Sequence, residues 1–149
     1  SDTLGSWAME ITSGLMPGYP QVDAIRVWIH DHLRYEYGTS APTTSARETL
    51  ASGAGVCRDF AHLGIALCRA LQIPARMVVG YLHELDPMDQ HAWFEAYLGD
   101  RWFTFDATQP HPKGNRVAVA YGRDAADVAI VTQYGHVDLT DMHVWVAPA

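Results

Sequence analysis

Pro74 divides this chain into two hydrophobic rhythms. From Cys57 to Leu71 the apolar residues Phe60, Ala61, Gly64, Ile65, Leu67, Cys68 and Leu71 recur at helical spacing. Proline cannot carry that helix far, because it lacks an N–H and its ring crowds the preceding turn. Beyond it the rhythm changes. Residues 75–82, rich in Val, Met and Tyr, read as a strand. Residues 91–98 and 101–106 read as two more, and Gly99-Asp100 between them fits a two-residue hairpin turn with glycine first. A polar loop with Pro87, residues 84–89, leads into the hairpin.

Upstream, residues 20–33 read as an amphipathic helix. Val22, Ile25, Ile29 and Leu33 form its stripe, and Pro20 suits the first turn. Residues 35–42 read as a loop. Ser45 and Glu48 have capping-box spacing and predict a short helix ending near Gly53, with a turn over 52–55. Downstream, 109–115 is a loop, and strands are expected over 117–121, 128–132 and 137–146. Helices followed by an antiparallel sheet make an α+β plan. The 149 residues, 48% hydrophobic and 18% charged, suit one ordered domain spanning 1–149.

Charge and composition narrow the function. A net charge of −7 without a Lys/Arg cluster argues against a nucleic-acid partner. No apolar run is long enough to span a bilayer. The first nine residues lack the basic start and apolar stretch of a signal peptide. A chain that begins at Ser1 rather than Met suggests processing or excision from something longer. On one helix, Cys57 and Cys68 would lie about 16 Å apart, too far for a disulfide. Free thiols suit a reducing, cytoplasmic setting.

Cys57 follows Gly53-Ala54-Gly55-Val56 and opens the predicted helix. The unpaired N–H groups and positive dipole end there stabilise an anion, and the thiolate is the reactive form of cysteine. The plainer alternative is a cysteine packed as a small hydrophobe. Cys68, mid-helix on the apolar face, fits that alternative better. A nucleophile of this kind wants a base, and the base an orienting group. The hairpin can supply both. With Gly99-Asp100 as the turn, Leu98 faces Arg101 and Trp93 faces Asp106. His91 shares a face with Trp93, so His91 and Asp106 become diagonal neighbours whose side chains can meet. A one-residue change of turn would put them on opposite faces. His91 is one of eight histidines. His30, His32, His62, His111, His136 and His143 have no comparable partner and read as surface or structural. Asp59 reads as favourable charge in a first helical turn.

At this point the chain resembles a known family. GVCRDFAHLGIALCRALQIPARMVVGYL, residues 55–82, is similar to the cysteine segment of bacterial transglutaminase-like proteins. HAWFEAYLGDRWFTFDAT, residues 91–108, is similar to their histidine and aspartate segments. RYEYGTSAPTTSARETL and GRDAADVAIV resemble the flanking segments, so the likeness covers roughly residues 20–132. It implies a papain-like/transglutaminase-like core, with a Cys-bearing helix packed on an antiparallel sheet. It implies Cys57 as nucleophile, His91 as base and acid, and Asp106 as orienter, with no cofactor. It also points to Tyr35, which sits where relatives carry a tyrosine shortly before a glycine. Tyr35 would help the Cys57 N–H hold an oxyanion, since one more donor is usually needed; a packed core aromatic is the equal alternative. Ala107 stands where many relatives have proline. Many bacterial members carry an extra N-terminal β-rich domain, and this chain reads as the catalytic core alone.

The function expected is thiol-dependent hydrolysis of an amide or peptide bond in a peptide or other amide substrate. Acyl transfer to an amine shares its first half-reaction and is the alternative. Two other classes compete. His83, Glu84, Asp86, Asp89 and His91 offer five possible metal ligands in nine residues, though without the spacing of a zinc site, so a solvated loop is preferred. A non-catalytic binding module would need a missing triad member, and all three are present.

Overall fold

The helix that Pro74 ends is α4, Cys57–Ala70, and it packs across the strands that follow. The computed structural model describes residues 2–132 and 134–149. Before α4 come α1 (Asp2–Ile11), α2 (Tyr19–His32), β1 (Arg34–Tyr35), α3 (Ala46–Ser52) and β2 (Ala54–Gly55). After it come β3 (Ala75–Leu82), β4 (His91–Leu98), β5 (Arg101–Phe105) and β6 (Arg116–Gly122). The last four form one sheet in the order β5-β4-β3-β6, antiparallel throughout. This is the α+β arrangement read from the sequence.

The hairpin register is the one its turn predicts. Leu98 faces Arg101 and Phe94 faces Phe105, so the ladder ends one residue before Asp106. Side chains alternate across β4. Ala92, Phe94 and Ala96 point into the core shared with α4, while His91 and Trp93 lie on the other parity. Gly64 lets the helix settle onto the sheet, because a Cβ there would lie 2.6 Å from the Phe94 ring. Phe94 in turn stacks on Phe105 at 5.6 Å between centroids. Ile25 and Ile29 of α2 and Leu63 and Leu67 of α4 are fully buried between the helices. Each such side chain contributes roughly 1.5–3 kcal/mol by leaving water. Ser45 and Glu48 form the predicted capping box, with Gly53 closing α3 in the left-handed region at φ 64°.

Three expectations need correction. Tyr35, read as loop, and residues 54–55, read as turn, belong to a short parallel ladder of β1 with β2. The helix α1 was not anticipated, although Leu4, Ala8 and Ile11 have helical spacing and pack on the core. Residues 128–132 and 137–146 form no strand among the described residues. After β6 the chain is drawn over α4 instead of along a sheet edge. Arg69 bonds the Arg123 carbonyl, His62 Nδ1 accepts from the Ala125 N–H at 3.4 Å, and Val128 packs against Gly122. Residues 137–146 have apolar spacing but pair with neither edge strand of the sheet, and Leu139 and Trp145 are exposed. No helix among the described residues is long and apolar enough to cross a membrane.

Candidate active site

The short β1–β2 ladder brings Tyr35 to the nucleophile. The Glu36 N–H donates to the Gly55 carbonyl at 2.9 Å and the Arg34 N–H to the Gly53 carbonyl at 2.9 Å. Tyr35 therefore runs beside the turn that feeds α4, and its hydroxyl lies close enough to Cys57 to be perturbed by it electrostatically. Its ring packs against Phe60 and Tyr37. Burial raises the phenol above its usual range, and the charge of Cys57 raises it further, so Tyr35 keeps its proton and can donate it.

Asp59 holds the start of α4 in place, a larger role than first-turn charge. Its carboxylate, 1% exposed, accepts from the Val56 N–H at 2.9 Å, from Ser40 Oγ at 2.9 Å and from Arg58 Nη1 at 2.8 Å. It ties the loop before α3 to the turn before Cys57. Gly55 makes room for it, since a Cβ there would lie 2.7 Å from Asp59 Cβ.

His91 opens β4 and Asp106 follows β5, and the two meet from the ends of adjacent strands. His91 Nε2 is 2.8 Å from Asp106 Oδ2, both side chains being nearly fully buried. Asp106 is an acceptor with all its capacity used. Oδ2 also accepts from Arg116 Nη1 at 3.0 Å, and Oδ1 accepts from the Thr108 N–H at 3.0 Å and from Thr108 Oγ1 at 2.7 Å. Burial pushes the carboxyl up, but the His91 bond, the imidazolium charge, Arg116 and Thr108 outweigh it and hold it down at about 2. Asp106 thus stays ionised, and His91 Nε2 must carry the proton between them. That leaves Nδ1 as the nitrogen with a lone pair able to take a proton from Cys57. Burial would lower the His91 pKa, but its bonds to Asp106 and Cys57 outweigh burial and raise it to about 9. The structure thus brings together all four residues singled out in the sequence.

Arg116 and Thr108 were not anticipated. Thr108 had a signal, because an Asp bonding the backbone two residues on is a common local turn. Arg116 had none: it reaches Asp106 because β6 pairs with β3, with Arg116 opposite Leu82. Its guanidinium lies 4.9 Å from the Trp93 ring centre. His30, read as surface or structural, is structural; its Nδ1 lies 3.1 Å from the Ala107 carbonyl and ties α2 to the segment after Asp106. Cys68 is fully buried, and burial pushes its thiol up to about 12, so it stays an inert core group. Beside His91 opens a cavity of about 170 Å³ walled by Tyr35, Tyr37, Asp86, Asp89 and Gln109.

Known proteins resemble this chain in sequence and fold. Residues 5–107 match the transglutaminase-like superfamily. A crystal structure from Cytophaga hutchinsonii, provisionally assigned as a cysteine protease, is 48% identical with a TM-score of 0.91, covering 98% of this chain and 50% of that one. LapG of Legionella pneumophila, at 17% identity and a TM-score of 0.54, covers 72% of this chain and 61% of its own, and shares the fold. An uncharacterised protein of Mycobacterium leprae is 36% identical over 111 residues, which are 68% of this chain and 39% of that protein. The chain thus spans half of the Cytophaga chain and about two fifths of the mycobacterial relative.

Proposed function

Since the chain belongs to the transglutaminase-like superfamily, we propose that it is a thiol-dependent hydrolase of amide or peptide bonds. Cys57, His91 and Asp106 act as its triad. One observation carries the reading: a single buried imidazole is hydrogen-bonded through Nε2 to an ionised aspartate and lies close enough to a helix-terminal cysteine for that cysteine to raise its pKa. That is how a nucleophile, a base and an orienting group are arranged for acyl transfer.

Cys57 passes its thiol proton to His91, and its Sγ attacks the carbonyl carbon of the substrate. The carbonyl oxygen becomes anionic and takes hydrogen bonds from the Cys57 N–H and from the Tyr35 hydroxyl. The Tyr35 hydroxyl keeps its proton and lies beside Cys57, so it can serve as the second donor to that oxygen. Tyr35 is 44% exposed, which leaves its ring room to shift. The C–N bond then breaks, His91 protonates the departing amine, and a thioester remains on Cys57. Neutral His91 next takes a proton from water, which attacks the thioester, and returns it to the departing sulfur, releasing the acid and restoring the thiol. Asp106, fixed by Thr108 and Arg116, keeps the Nε2 proton on His91 throughout. The substrate is a peptide or another amide. Two free cysteines support a reducing, cytoplasmic setting.

Acyl transfer is the second reading, and one observation favours it. The cavity beside His91 is walled by Asp86 and Asp89, with no lysine or arginine in its lining. A cationic amine could wait there in place of water. The test is alkylation of Cys57 by iodoacetamide at mildly acidic pH, in wild type and in His91→Ala. Fast labelling that His91→Ala slows supports the triad; slow labelling in both excludes it. Adding a simple diamine to an amide turnover assay separates the two outcomes, because transfer yields the diamine adduct and hydrolysis the free acid.

A further inference from the structure

Asp106 borders a second cavity, of about 220 Å³, and its character is opposite to the first. Three cations line it: Arg26 of α2, Lys113 of the loop before β6, and Arg116. The whole chain has ten lysines and arginines, a net charge of −7 and Lys113 as its sole lysine. Their partners do not satisfy them. Arg26 bonds Asp23 through Nε at 2.7 Å and the Gln109 carbonyl through Nη1 at 3.2 Å. Arg116 bonds the Lys113 carbonyl through Nε at 3.2 Å and Asp106 through Nη1 at 3.0 Å. Among the described residues neither Nη2 nor the Lys113 ammonium has a hydrogen-bond partner. The carboxylate in the wall cannot supply one, because both oxygens of Asp106 already accept two hydrogen bonds and its charge is shared with His91.

We propose that this cavity binds a phosphate-type oxyanion through Lys113, Arg26 and Arg116, and that the bound anion shares Arg116 with Asp106. Two guanidinium groups offer planar forks of donors, and the ammonium adds a point charge. A concave wall with this surplus of one sign concentrates anions. A phosphate has enough oxygens and charge to meet all three; a carboxylate has two oxygens and a single charge. Arg116 is the link to the active site. An anion that takes up part of its charge leaves Asp106 less neutralised, and Asp106 then stabilises the His91 imidazolium and its thiolate partner more strongly. This second clause rests on the triad reading; the binding itself does not.

The experiment is calorimetric titration of inorganic phosphate into the whole chain at constant ionic strength, with acetate as a second ligand and Lys113→Gln as the variant. Lys113 gives its carbonyl, not its side chain, to Arg116, so the variant keeps the triad and its basal reactivity. One phosphate site is expected, weakened roughly tenfold in Lys113→Gln, as loss of one charge-assisted bond predicts. Phosphate should also protect Lys113 from an amine-reactive acylating reagent, read by mass on the peptide holding the only lysine. Absent binding, equal affinity in the variant, or acetate binding as tightly as phosphate would overturn the site. Saturating phosphate should speed iodoacetamide labelling of Cys57 in wild type. An unchanged rate would overturn the coupling while leaving the site. A Cys57 that resists labelling without phosphate would sink the triad reading and the coupling with it, and calorimetry would still decide the site.

Discussion

In the proposed mechanism the three triad residues do different work, so under it their removal should cost different amounts. Cys57 forms the covalent bond, and Cys57→Ala should abolish acyl-enzyme formation. His91 must protonate the leaving amine, so His91→Ala should cost roughly 10²–10⁴-fold on an amide. On an activated ester the loss should be smaller, because the leaving group needs no proton. Asp106 orients and stabilises, so Asp106→Asn should lose less than His91→Ala. Single-turnover acylation by both substrates in all three variants measures this order. Tyr35→Phe removes only the hydroxyl beside Cys57, and acylation should slow by roughly 10²-fold if that group holds the oxyanion. An unchanged rate would remove Tyr35 from the chemistry. The pH dependence follows from His91. Its pKa of about 9 means the imidazolium persists through neutrality, so amide turnover should fall as pH rises through about 9.

Among the elements, the hairpin and α4 were legible because each carries its own punctuation. Gly99-Asp100 fixes the register of β4 with β5, and with it the meeting of His91 and Asp106. Pro74 and the apolar stripe define α4. What escaped was set by other parts of the chain. The two-residue strands β1 and β2 have no periodicity to detect, yet they bring Tyr35 to Cys57. Arg116 depends on a third strand pairing. The apolar spacing of 128–132 and 137–146 promised strands, but Arg69 and His62 draw the start of that segment onto α4. The Gly55–Asp59 contact gives a test at this scale. Gly55→Ala would place a Cβ 2.7 Å from Asp59 Cβ, within a buried network that has little room to yield. Overpacking of this kind costs about 1–3 kcal/mol. Thermal unfolding should show that loss, together with slower labelling of Cys57 as the turn before α4 shifts. An alanine variant as stable and as reactive as wild type would mean that Asp59 does not position the nucleophile.

For the molecule as a whole, the buried pair links folding to pH from both sides. Asp106 is depressed from 3.8 to about 2, so its contribution is present above the ordinary carboxylate value and lost as pH falls towards 2. His91 is raised from 6.5 to about 9, so its contribution is full below 6.5 and lost as pH rises through about 9. The pair's contribution to stability should therefore peak between about pH 4 and 6.5. Melting temperature against pH should show this, and Asp106→Asn should flatten the profile at both ends. A variant profile parallel to wild type would mean that the pair contributes nothing to folding. The fold class was visible in the order of helices and strands, and its match to the transglutaminase-like superfamily spans residues 5–107. The cationic cavity behind Asp106 was not, because Arg26, Lys113 and Arg116 come from separate segments and converge only when α2 meets the end of β5.

The central claim is that Cys57 carries the acyl group. Intact-mass analysis of the chain quenched in acid during turnover of an activated ester tests it most directly. The account predicts one added acyl mass, located by peptide mapping to Cys57 and absent from Cys57→Ala. Turnover by Cys57→Ala, or an acyl group found elsewhere while Cys57 stays free, would contradict it.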